Sequence, residues 1–250
     1  MRQLEICCGS YEDCLQAHAA GAQRVELNSA LHMGGLTPSL GSLILSKKLE
    51  GLRIMVMIRP RGAGFCYGEE DFACMLEDAR LMLEHGADGI VFGCLREDGT
   101  IHLEQSKEMI ELIRSYGKEV VFHRAFDCTP DPYQAMETLI ELGVDRVLTS
   151  GQKPKAMQGK ELLKELQERY GTSIQLLAGS GMNANNAQEL MEYTGISQVH
   201  SSCKMLHTDA TTAIADVNFS YLSGEEASCY DGVSSELVKA MIEVVEKACE

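Results

Sequence analysis

The chain has 250 residues, 45% hydrophobic and 24% charged, with a formal net charge of -15. That balance describes a globular chain able to bury a substantial core and excludes a disordered or fibrous one. The acidic field repels nucleic acid and anionic membranes, so an anionic ligand needs a local basic pocket.

Strand-like runs fall at residues 3–8, 23–28, 53–59, 88–93, 118–123, 145–149, 173–178 and 196–200. Between them lie helical patterns such as EDCLQAHAAGA, EEDFACMLEDARLMLEHG, LEQSKEMIELIRSYG and KELLKELQERYG, and Gly21, Gly86, Gly117, Gly143 and Gly195 punctuate their ends. Eight such units predict a (βα)8 TIM barrel, one domain over residues 1–250, with a doubly wound open sheet as the alternative. The chain lacks a G-x-G-x-x-G after the first strand, which weakens a dinucleotide-binding version of that alternative. After the eighth strand, residues 202–233 read as a long irregular excursion, either a lid or binding loop or an oligomer contact, and SELVKAMIEVVEKA follows as an amphipathic helix. No apolar run approaches the roughly 20 residues that span a bilayer, and the chain opens directly into a strand pattern, so a cytoplasmic location is expected. Ten cysteines without a C-x-x-C pair read as reduced thiols rather than disulfides, zinc knuckles or iron–sulfur ligands.

Polar residues recur where the strand runs stop, and in a barrel those ends share one mouth. Period-two alternation puts Glu5 and Cys7 on one face, with Cys8 opposite; Arg24, Glu26 and Asn28 share a face, as do Met55, Met57 and Arg59. The blander reading is a buried ion network in which Glu5 and Glu26 neutralise Arg24, Arg59 or Arg61. The functional reading has two nearby carboxylates raising one pKa, which makes Glu26 a candidate acid or base; strand-terminal His123 is the second catalytic candidate. Arg59-Pro60-Arg61 is read as an anion clamp. Gly179-Ser180-Gly181 and Thr37-Pro38-Ser39 are read as helix openings suited to an anion, or as plain turns. Glu5, Arg124, His200 and Ser201 complete the candidate ligand-binding set, while Asp127 reads as a turn or cap before the helix near Pro132. Cys7 is either a small buried residue or a soft ligand for Cu(I), and Met55 and Met57 read as a barrel-filling layer.

The phrases EICCGS, AGAQRVELN, GGLTPS, MIRPRGAGFCY, ADGIVFG, FHRAFD, RVLTSG and TGISQVHSS occur in order over nearly the whole chain, which resembles the CutC family of copper homeostasis proteins. The resemblance implies a (βα)8 barrel, a cytoplasmic location, homodimers or higher homo-oligomers, and a part in copper handling. Copper ligation proposed for that family falls on a cysteine in the first strand and another ending the second. Cys7 matches the first, and Asn28 stands at the second. A-G-S-G-M is also poorer in glycine than the family's usual segment after strand seven. Two expectations follow: a copper homeostasis protein binding Cu(I) at its barrel mouth, or an enzyme acting on a small anionic or phosphorylated metabolite.

Overall fold

The computed structural model describes residues 2–247. Eight parallel strands close in chain order: β1 Gln3–Cys8, β2 Arg24–Leu27, β3 Arg53–Met57, β4 Gly89–Phe92, β5 Glu119–Phe122, β6 Arg146–Thr149, β7 Gln175–Ala178 and β8 Gln198–Ser201. Around them run α1 Tyr11–Ala19, α2 Leu40–Ser46, α3 Glu69–Glu84, α4 Leu103–Ser115, α5 Pro132–Glu141, α6 Lys160–Tyr170 and α7 Ala187–Thr194. The fold is therefore the (βα)8 TIM barrel, and the open-sheet alternative fails because β8 pairs with β1, Glu5 lying opposite His200. Among the described residues no helix is long and apolar enough to cross a membrane. Ala248, expected at the end of the last helix, and Cys249 lie outside the described residues.

Local signals start and stop several helices where the sequence places them. Ser10 accepts the Asp13 N–H at 3.1 Å to cap α1, and Asp131 accepts those of Tyr133 and Gln134 to cap α5, whose first turn carries Pro132. Gly195 ends α7 at φ 74°, a left-handed geometry that a side chain would strain.

Strand parity sorts side chains into two cores. Ile54, Val56 and Ile58 join Ile6, Cys8, Val25 and Leu27 beneath the helices, whereas Met55 and Met57 pack with Val91 and Val121 inside the barrel. β3 ends at Met57 rather than at residue 59. Beyond it the Arg59 backbone is tied to Thr37 instead, its carbonyl accepting the Thr37 N–H at 3.0 Å and its N–H donating to Thr37 Oγ1 at 3.0 Å.

Below the inner apolar layer lies an ionic floor. Arg24, fully buried, meets Glu5 Oε2 at 2.7 Å through Nε and donates to Gln3 and Gln198 at 2.7 and 2.8 Å. Arg146, also buried, reaches Glu119 at 3.0 Å and Gln175 at 3.3 Å. The buried network expected around Glu5 is present with Arg24 and Arg146 as its cations; among the described residues Arg59 and Arg61 pair elsewhere, Arg61 with Asp71.

The stretch after β8 is more regular than its sequence suggests. β9 Lys204–Thr208 pairs antiparallel with β12 Cys229–Val233, and β10 Ala213–Ile214 pairs with β11 Val217–Asn218 to form an arm. Both faces of these strands are largely exposed, so no alternation of apolar and polar residues marks them. Asp13 anchors the arm, accepting the Val233 N–H and the Gly9 N–H at 2.8 Å each, and Tyr221 stacks on His32 with ring centres 4.4 Å apart. Helix α8, Ser235–Lys247, then buries Val238, Met241 and Val245 and packs near α7, α1 and β1.

Candidate metal centre

Register builds the site. Cys7 lies opposite Glu26 across β1 and β2, and Glu5 lies opposite His200 across β1 and β8. With period-two alternation, all four side chains enter the barrel at or just below its C-terminal mouth. His200 Nδ1 sits 2.9 Å from Glu5 Oε1, and its Nε2 faces Glu26 Oε2 at 3.7 Å. Cys7 donates its thiol hydrogen to the same Glu26 oxygen at 3.7 Å, and Asn28 donates to it at 2.8 Å while lying 3.6 Å from the Cys7 sulfur. One donor atom each from Cys7, Glu26 and His200 falls within 4.8 Å of the others. Glu26 Oε1 is buried and has no hydrogen-bond partner.

Electrostatics sharpen the geometry. Burial opposes a charge on Glu5, but Arg24, His200 and Arg146 together hold its carboxyl down to about 2. Burial and the neighbouring Glu5 push Glu26 above the usual carboxylate range, against the pull of His200 and Asn28. Burial would strip the proton from His200, yet Glu26, Cys7 and Glu5 hold its pKa well above that of an ordinary imidazole. Burial likewise raises the Cys7 thiol. The result is an imidazolium enclosed by two carboxyl groups and a thiol, a place where the protein stabilises positive charge.

This cluster forms one wall of a cavity of about 320 Å³, and Arg59, His123 and Arg124 stand on the others. His123 is buried, its Nδ1 accepting the Ala125 N–H at 3.1 Å, and burial together with Arg59 and Arg124 drives its pKa to about 3. Gly93 makes room for that ring: a Cβ there would lie 2.5 Å from His123 Cε1 and 2.8 Å from the Ala125 methyl.

Other expected site residues are placed differently. Arg59 lines the cavity, but its terminal nitrogens donate to the carbonyls of Met33, Gly35 and Ala63, so it braces two loops rather than offering an open fork. Arg61 does not join it: β3 has ended at Met57, the chain bends from Arg61 onward, and the side chain turns to Asp71 at 2.7 Å and to the Gly62 and Cys66 carbonyls, away from the cavity lining. Ser201 has the wrong parity and donates to the Met182 carbonyl at 2.7 Å, while Ser202, one residue on, lines the cavity. Ser180 and Gly181 reach the rim, but they do not open α7, which begins only at Ala187. Gly179 packs closely below, where a Cβ would lie 2.6 Å from Leu148 and 3.3 Å from His200 Cβ. Asp127 is no helix cap; it brackets two loops, accepting from Thr149, Ser150, Gln152 and Arg124. Phe65, which no periodic signal marks, also faces the cavity.

The fold and this mouth define a (βα)8 barrel whose chemistry gathers on β1, β2 and β8. The sequence profile of the CutC family matches residues 2–205, and the chain belongs to that family. The arm beyond residue 205 and α8 lie outside the match. A CutC family protein of Treponema denticola is 48% identical over 198 residues, 79% of this chain and 80% of its own. One from Bacteroides thetaiotaomicron is 44% identical over 203 residues, 81% of each chain. The crystal structure of a CutC from Streptococcus agalactiae, ascribed a proposed copper homeostasis role, superposes with TM-score 0.77 at 31% identity, covering 81% of this chain and 99% of that one. Thiamine phosphate pyrophosphorylase from Pyrococcus furiosus, TM-score 0.58 at 14% identity, shares the fold.

Proposed function

We propose that this protein handles copper as cargo, taking the ion at Cys7, Glu26 and His200. The carrying observation is the three donor atoms within 4.8 Å of one another, with Glu5 holding the far nitrogen of the His200 ring. A carboxylate behind a histidine is the arrangement that orients a metal-ligating imidazole, leaving Nε2 to face the ion. The donor set fits copper: a thiolate is the soft ligand Cu(I) selects, and imidazole suits copper in either oxidation state. The orphaned Glu26 Oε1 supplies an oxygen donor in place of the second cysteine that Asn28 replaces. A cation would take the place of the positive charge now carried by the His200 imidazolium. The copper homeostasis role proposed for the Streptococcus agalactiae relative supports the same choice of metal.

The reading extends to a cytoplasmic location, supported by nine described cysteines that carry no disulfide, and to self-association, supported by exposed Ile214, Val217 and Phe219 on the arm. Competition for Cu(I) against a calibrated chelator tests the metal role. The wild type is expected to hold the ion at least about tenfold more tightly than Cys7→Ser or His200→Ala, the loss typical of a removed ligand or its support. Equal affinity in all three proteins would end this reading.

A further inference from the structure

The cavity is too large for a metal ion alone. About 320 Å³ is at the lower end of the volumes that hold small organic ligands, whereas a single water takes about 30 Å³. Its walls are also opposite in character, with Cys7 and Glu26 on one side and Arg59, His123 and Arg124 on another. His123 is 3% exposed, and its Nε2 is buried without a hydrogen-bond partner. Because Nδ1 accepts the Ala125 N–H, the neutral ring must carry its hydrogen on Nε2 and present a donor. A buried donor left unmatched is costly, and a ligand oxygen would relieve that cost. Phe65 lies beside both groups, its ring centre 4.9 Å from that of His123 and 4.9 Å from the Arg59 guanidinium, and lines the same cavity.

We propose that the His123 side of the mouth binds a small organic carboxylate, with Nε2–H donating to one carboxylate oxygen and Arg124 facing the other through Nη1, its Nε and Nη2 being held by Asp127, Ser150 and the Lys153 carbonyl. Carboxylate fits better than phosphate on two grounds. The Arg59 terminal nitrogens are already used by backbone carbonyls, and α7 starts too far beyond Gly181 to point its first N–H groups into the cavity. This site stands apart from the metal reading and needs no ion.

The test is a malonate titration of chelator-treated protein carrying ¹⁵N-labelled histidine. Saturable shifts of the His123 Nε2–H signal are expected, with a dissociation constant of about 1 mM or below. His123→Asn keeps a side-chain oxygen to cap the Ala125 N–H but removes the ring donor, and it should weaken malonate by at least about tenfold. Arg80→Ala, on the exposed face of α3, should bind malonate as the wild type does, and because the titration holds no copper its failure is separable from failure of the metal reading. The proposal is overturned by equal malonate affinity in His123→Asn, by shifts confined to His200, or by no saturable shift. Inorganic phosphate binding more tightly than malonate would overturn the assignment to carboxylates.

Discussion

Glu5→Gln is expected to lower the unfolding free energy by about 3–5 kcal/mol, the cost typical of removing one partner from a buried ion pair. The amide would leave the Arg24 guanidinium, at 0% exposure, without its counter-charge 2.7 Å away, and would deprive the His200 ring of the carboxylate held at 2.9 Å. Arg24 cannot turn to water, since it lies inside the closed barrel. A shift of the urea midpoint with an unchanged slope would report this as lost stability rather than an altered unfolded state. Replacing the pair by Glu5→Leu with Arg24→Met should recover much of the loss, because hydrophobic residues of similar volume avoid the desolvation cost. By contrast, Arg80→Ala, which breaks only exposed helix pairs screened by water, should leave stability nearly unchanged. A Glu5→Gln protein as stable as this control would show that the floor is held by packing alone.

Acid should destabilise the protein well above the range of ordinary carboxylates, and His123 is the main cause. Unfolded, the ring takes up a proton near pH 6.5; folded, burial and the charge of Arg59 delay that to about 3. Between those values the unfolded chain binds more protons, so stability falls as pH falls, by about 4–5 kcal/mol over the interval. Glu5 adds to the loss at lower pH: its stabilisation is complete above 4.5 and disappears as pH drops toward about 2. His200 acts on the other side. Its raised pKa contributes stability that is fully present below pH 6.5 and lost as pH rises through the folded value, so it does not offset the acid loss. Urea midpoints measured from neutral pH downward should fall steeply for the wild type and less steeply for His123→Asn. Parallel slopes would mean that this ring is not kept neutral by the fold.

Much of this was legible in the chain. The barrel could be read because each strand run is bounded by helices with caps and terminal glycines, and parity alone put Glu5, Cys7, Arg24, Glu26 and Met55 inside. What parity could not supply is the behaviour of chain beyond a strand's last hydrogen bond. Arg59 and Arg61 share alternation in sequence, yet the bend from Arg61 onward leaves one lining the cavity and turns the other to Asp71. Ser201 was placed by proximity to the strand end, where alternation favours Ser202. The meeting of Glu5 with His200 depends on β8 closing against β1, a contact between residues 195 positions apart that no local pattern encodes.

In the proposed function the mouth gathers one thiolate and one imidazole around a copper ion. X-ray absorption at the copper edge, on protein loaded with one equivalent of Cu(I), reads those ligands. Sulfur and imidazole nitrogen are expected in the first coordination shell, with the sulfur lost in Cys7→Ser and the nitrogen lost in His200→Ala. A shell unchanged by either substitution, such as one built from the exposed thiols of Cys66 and Cys74, would contradict that proposal.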